Sequence, residues 1–130
     1  MMPSFGKTSL ARLSTCDERL QKIAHEAIKV TDFAVICGHR DEAAQAEAVA
    51  KGFSKAPWPE SKHNRNPSMA MDLAPYHADR KPPIDWKDEE GFRMLATLIV
   101  GTAEAQSVKI KWGGDFKSFP DLPHFELVES

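Results

Sequence analysis

Met69, Met71 and Leu73 alternate with Ala70, Asp72 and Ala74, and Pro75 stops the run. Period-two patterning belongs to a strand, whose successive side chains leave the backbone on opposite faces. Any fold for this chain must therefore hold a strand with a carboxylate on one face. Two histidines bracket that carboxylate: His63 lies nine residues before Asp72 and His124 lies 52 after it. No local helix can bring the three together at such separations; only tertiary structure can.

Imidazole nitrogen and carboxylate oxygen are both good zinc donors, and three protein ligands leave a fourth position open to water. A metal with an open position lowers the pKa of water and polarises a carbonyl. If His63, Asp72 and His124 meet, the chain has the centre of a small hydrolase, and two histidines with one carboxylate suit zinc best. Asp121 lies three residues before His124 with Pro123 between them. A turn carboxylate there can reach a water beside the metal as general base, or it is plain turn punctuation. Glu126 shares the strand face of His124 by the period-two rule. It either orients that imidazole, as ligating histidines require, or is an exposed strand residue. His25 and His77 read as structural or solvent-exposed.

At 130 residues the chain is expected to be one domain, residues 1–130, with a real core. Seventeen basic residues against 19 acidic give a net charge of -2, which removes the bulk electrostatic case for nucleic acid. Local basicity at Lys51, Lys55, Lys62 and Arg65 helps hold an anionic substrate or solvates a loop. Cys16 and Cys37 cannot make a disulfide framework and read as single thiols in a reducing compartment. Met1 to Ala11 lacks the apolar core of a signal peptide. Met94 to Val100 is the longest apolar stretch, too short to span a bilayer and broken by Thr97. The expectation is synthesis in the cytoplasm without a recognisable export signal, and no membrane insertion.

Thr15-Cys16-Asp17-Glu18 reads as a capping box ahead of a helical stripe of Leu20, Ile23, Ala24, Ala27 and Ile28. Phe33 to Cys37 suits a buried strand, and Asp41 can cap a second helix, Glu42 to Lys51, closed by Gly52. Residues 53–67 form a structured loop. A third helix carries Phe92, Leu95, Ala96, Ile99 and Ala103, after a stiff lead-in from Pro82 to Trp86. Lys109 to Trp112 and His124 to Val128 are strands around a turn at Gly113-Gly114-Asp115. The pattern predicts an α+β domain, about three helices around a short, mainly antiparallel sheet.

Ser61-x-His63, the Ala70-x-Asp72-x-Ala74-Pro75 segment and Asp121-x-x-His124-x-Glu126-Leu127 resemble the zinc-dependent L-alanyl-D-glutamate peptidases of phage endolysins. Those belong with the vancomycin-resistance-type D,D-carboxypeptidases and the Hedgehog-like zinc fold. The likeness spans nearly the whole chain, including Gly38-His39-Arg40, Ile84-Asp85-Trp86 and Trp112-Gly113-Gly114-Asp115, and the order of these motifs makes it specific. It implies that His63, Asp72 and His124 bind zinc and that Asp121 is the catalytic base. Arg40 is implied to bind substrate or steady the oxyanion, which suits a guanidinium's fixed fork of donors; the bland alternative is a surface arginine pairing with Asp41 or Glu42. Ser61 is implied to bond substrate or to shape its loop. Eight residues, Asn64 to Met71, separate His63 from Asp72, where the commoner family pattern has six including a glycine.

The resemblance further implies a monomeric endolysin cutting peptidoglycan stem peptides at the L-Ala–D-Glu bond. It would reach the wall, on the periplasmic side, only after a separate holin-type partner permeabilises the membrane. The alternatives are a D,D-carboxypeptidase trimming terminal D-Ala, and a non-catalytic wall-binding or virion structural domain.

Overall fold

The computed structural model describes residues 3–118 and 120–129. Four strands, β1 (Phe33–Cys37), β2 (Ala70–Pro75), β3 (Ile110–Trp112) and β4 (His124–Leu127), make one sheet in the order β1-β2-β4-β3. Every neighbouring pair is antiparallel. Among the described residues four α-helices accompany it: α1 (Lys7–Leu13), α2 (Glu18–Ala27), α3 (Glu42–Ala50) and α4 (Glu89–Ala105). The class is α+β as the sequence predicts, with four helices in place of three. The unforeseen one, α1, has seven residues and buries Leu13 alone, so it carries no apolar stripe to read.

The alternation along β2 sorts the molecule into two sides. Met71 and Leu73, with Phe33 and Val35 of β1 and Phe125 and Leu127 of β4, join the core built with Leu20 and Ile23 of α2 and Leu95 and Ile99 of α4. Asp72 stands directly opposite His124, and Ala70 opposite Glu126, on the other face. That face is buried too: Ala70 and Ala74 are wholly buried and Asp72 is 8% exposed.

The ends of α3 follow the sequence. Asp41 Oδ1 accepts from Ala44 N at 2.8 Å to start α3, and Gly52, with φ 79°, follows its C-cap Lys51. Asp88 caps α4 by accepting from Gly91 N at 3.0 Å. The capping box expected at Thr15 does not form. Asp17 caps α2, accepting from Arg19 N at 2.9 Å. The Thr15 hydroxyl is already engaged, donating to Arg12 O at 2.6 Å and accepting from His39 N at 2.9 Å. It ties the end of α1 to the segment leaving β1, a tertiary role that outweighs the local one.

The lengthened segment between His63 and Asp72 is folded back and anchored. Met69 N donates to Lys62 O at 3.0 Å, closing the loop on itself. Ser68 pairs with the α1–α2 connection through Ser68 N to Thr15 O and Asp17 N to Ser68 O, both 2.9 Å. Cys16 and Cys37 are free thiols, as expected.

Candidate metal centre and cleft

His63 sits in a short 3-10 turn, Lys62–Asn64. Ser61 holds that turn: its hydroxyl accepts from His63 N at 3.2 Å, and Asn64 Oδ1 accepts from Ser61 N at 3.1 Å. One ring nitrogen of His63, Nδ1, lies 2.7 Å from Gly38 O. A carbonyl only accepts, so Nδ1 carries the proton, and in the neutral ring Nε2 is the lone-pair nitrogen. Nε2 is 3.1 Å from Asp72 Oδ1. Gly38 permits this, since a Cβ there would run into Arg12 O and Thr15 Oγ1.

His124 is placed as a mirror of that arrangement. Its Nε2 is 2.8 Å from Glu126 Oε1, and its Nδ1 is 3.1 Å from Asp72 Oδ1. Lys62 Nζ sits 3.1 Å from Glu126 Oε2 and also donates to Leu127 O. Burial works against a charged Glu126, but the bonds from His124 and Lys62 outweigh it and hold its pKa below the usual range. An ionised Glu126 only accepts, so Nε2 carries the proton and donates to it, and in the neutral ring Nδ1 is the lone-pair nitrogen facing Asp72.

Two lone-pair nitrogens and a carboxylate oxygen therefore converge in a buried place. Such a set requires a cation between its members. Without metal, protons fill that role. Burial disfavours a charged His63, yet the Asp72 carboxylate outweighs burial and lifts the imidazole from 6.5 to about 10. His124 is raised as well, against burial, by its bonds to Asp72 and Glu126. Asp72 is opposed by burial and held far below the carboxylate range by the two histidines. The donor chemistry fits zinc: imidazoles fixed at the far nitrogen and one carboxylate.

Asp121 lies in the turn before β4. Gly113 O accepts from Asp121 N at 2.9 Å, and Asp121 O accepts from His124 N at 3.1 Å. A Cβ on Gly113 would collide with Asp121 O, so the glycine lets this turn pack closely. One carboxylate oxygen of Asp121, one of Asp72 and a ring nitrogen of His124 lie within 4.8 Å of one another. Burial, then the charge of Asp72, raises the Asp121 carboxyl above its ordinary value.

Arg40 is not a surface residue paired to Asp41 or Glu42. Its Nη2 lies 3.3 Å from Asp72 Oδ2, its Nη1 donates to Gln45 Oε1 at 3.1 Å, and its Nε donates to Cys37 Sγ at 3.3 Å. The guanidinium is thereby fixed at the edge of the cleft. Of the basic residues near the loop, Lys51 pairs with Glu47, Lys62 with Glu126 and Arg65 with Glu129. His77 Nε2 stands 4.0 Å from Asp88 Oδ2, away from the centre, and the His25 ring meets Phe5 edge-on.

Sequence reasoning passed over several residues that build the site. Gln45 is wholly buried, accepting from Arg40 and from Asn64 Nδ2 and donating to Ala56 O at 2.6 Å. The one signal for it was a polar side chain amid alanines on α3. Lys62 read only as local basicity, whereas it pairs with Glu126; Cys37 and the Gly38 carbonyl gave no signal.

The open side of the centre is a cleft of about 360 Å³ lined by Arg40, Ser61, His63, Asp121 and His124, with Phe53 and Phe116 among its walls. Phe116 tilts against the His124 ring, centroids 5.6 Å apart. A broader depression beside α2 has a rim of surface charges and, among the described residues, no comparable donor group.

The family model described as phage L-alanyl-D-glutamate peptidase matches residues 1–128. The L-alanyl-D-glutamate peptidase of Escherichia phage T5 is 32% identical over 125 residues, covering 95% of this chain and 88% of that protein. The crystal structure of the Serratia marcescens L-Ala D-Glu endopeptidase ChiX superposes with a TM-score of 0.78 at 24% identity, covering 96% of this chain and 90% of that one, a likeness of fold. On the family match and the phage T5 relative, this chain belongs to the phage L-alanyl-D-glutamate peptidases.

Proposed function

We propose that this chain is a monomeric, zinc-dependent endopeptidase that hydrolyses the L-Ala–D-Glu bond of peptidoglycan stem peptides during phage lysis. The observation that carries this reading is the convergence of His63 Nε2 and His124 Nδ1 on Asp72 Oδ1, each at 3.1 Å, beside a cleft that also presents Asp121. His63, Asp72 and His124 would hold the zinc, which when bound would supply Lewis-acid chemistry for peptide hydrolysis.

The chain's own residues do the rest. Asp121, raised by burial and by Asp72, takes the proton of the attacking water and passes it to the leaving amine. Arg40, fixed through Asp72 and Gln45, presents its guanidinium to the developing oxyanion or to a substrate carboxylate. Ser61 shapes the His63 turn and lines the cleft, where it can bond the peptide. Glu126 fixes His124, and Lys62 fixes Glu126. No helix among the described residues is long and apolar enough to cross a membrane. Passage from the cytoplasm to the wall is assigned to a separate holin-type protein.

Mass spectrometry of products from purified muropeptides tests the bond. The expected products are a fragment ending in L-Ala and a peptide with a new N-terminal D-Glu. Release of terminal D-Ala alone would instead make the chain a carboxypeptidase.

A further inference from the structure

Arg40 divides its donors among three acceptors. Nη2 lies 3.3 Å from Asp72 Oδ2, Nη1 donates to Gln45 Oε1 at 3.1 Å, and Nε donates to Cys37 Sγ at 3.3 Å. The sulfur is in reach because β1 ends in a bulge: Val35 pairs with Leu73 and Cys37 with Asp72, so Ile36 is an extra residue. A guanidinium beside a carboxylate frequently closes on it with two parallel bonds. Here Gln45 takes Nη1, and only Nη2 reaches Asp72. Of the five N–H donors of the guanidinium, three are engaged. One on each terminal nitrogen is left over, in a side chain that lines the cleft.

Gln45 is itself held on all sides. It is 0% exposed, and the other buried residue of α3 is the apolar Ala48. Its Oε1 also accepts from Asn64 Nδ2 at 3.1 Å, and its Nε2 donates to Ser54 Oγ at 3.0 Å and to Ala56 O at 2.6 Å. Both lone pairs and both amide hydrogens are thereby used, which fixes the amide in one orientation. Its partners belong to three pieces of the site. The first is the Arg40 side chain. The second is the His63 turn, where Asn64 Nδ2 donates to Arg40 O at 3.2 Å and His63 O accepts from Arg40 N at 2.8 Å. The third is the Ser54–Ala56 wall of the cleft.

Deepening the endopeptidase reading, on which this rests, we propose that Gln45 is a positioning residue for the reaction. It holds Arg40 off a two-bond pairing with Asp72, so that the guanidinium keeps two donors for a substrate oxygen. It also fixes that arginine relative to the His63 turn and to the Ser54–Ala56 wall.

The test is a double-mutant cycle on purified muropeptides with Gln45→Met, Arg40→Ala and the double variant, each checked for bound metal by elemental analysis. Gln45→Met should lower kcat by about 10²-fold, the scale of a small misplacement of a catalytic group, with KM and bound metal little changed. Added to Arg40→Ala, it should change kcat by no more than about twofold, since the residue it positions is gone. Gln45→Glu keeps the acceptor for Arg40 and should recover most of the kcat lost in Gln45→Met. An undiminished kcat in Gln45→Met, an equal loss in both backgrounds, or a Gln45→Glu as slow as Gln45→Met would overturn the role of Gln45 and leave the endopeptidase reading standing. A wild type that does not cut between L-Ala and D-Glu would overturn both. Should Gln45→Met fail to fold, Gln45→Glu decides: a kcat well above that of Arg40→Ala supports the role, and one no higher overturns it.

Discussion

The two faces of β2 are almost equally buried and have opposite characters. Leu73 is 0% exposed among aliphatic and aromatic side chains, and its neighbour Asp72 is 8% exposed between two histidines and an arginine. On the first face burial itself stabilises, at about 25 cal/mol per Å² of apolar surface. On the second, burial disfavours every charge, and only matched charges make it tolerable. Folding stability is thus concentrated on one side of the sheet, and the capacity to bind a cation and do chemistry on the other.

The sharpest way to break this separation is Asp72→Asn. It should abolish metal binding and reduce wall cleavage to the chelated background, while the chain still unfolds cooperatively. A variant that keeps its metal would mean that Asp72 is not the hub. Asp121→Asn should lose about 10²–10⁴-fold in kcat, with metal content unchanged by elemental analysis. On the core face, Phe125→Ala should cost about 3–5 kcal/mol in chemical denaturation. Its folded fraction should bind metal as wild type does, and impaired binding there would mean that the faces are coupled. Lys62→Met should weaken metal binding by about 10–100-fold through a loosened Glu126, with Lys62→Arg recovering part of the loss.

A smaller effect lies in pH. In metal-free protein His63 is raised from 6.5 to about 10. A raised folded-state pKa means that protonation favours the native state, fully below about pH 6.5 and progressively less as pH rises through 10. The melting temperature of chelated protein should therefore decline across that window, and that of zinc-loaded protein should change less. Equal slopes would show that protons do not substitute for the metal.

What the sequence made legible follows the same division. Alternation in β2 exposed Asp72, and the stripes of α2 and α4 exposed the core, because both are local periodicities. The motif order pointed to His63, Asp121 and His124 before their contacts were visible. Tertiary effects were hidden. The Thr15 hydroxyl looked like a helix cap and instead links α1 to His39, and α1 itself buries too little to leave a stripe. Gln45, Lys62 and the Gly38 carbonyl act only through residues distant in sequence. The bulge that turns Cys37 depends on a pairing register that no composition of β1 discloses.

The most direct test of the account is muropeptide cleavage by the chelated protein, before and after stoichiometric zinc is restored. The account predicts that scission between L-Ala and D-Glu stops when the metal is removed and resumes with zinc. Cleavage at an undiminished rate in verified metal-free protein would contradict it.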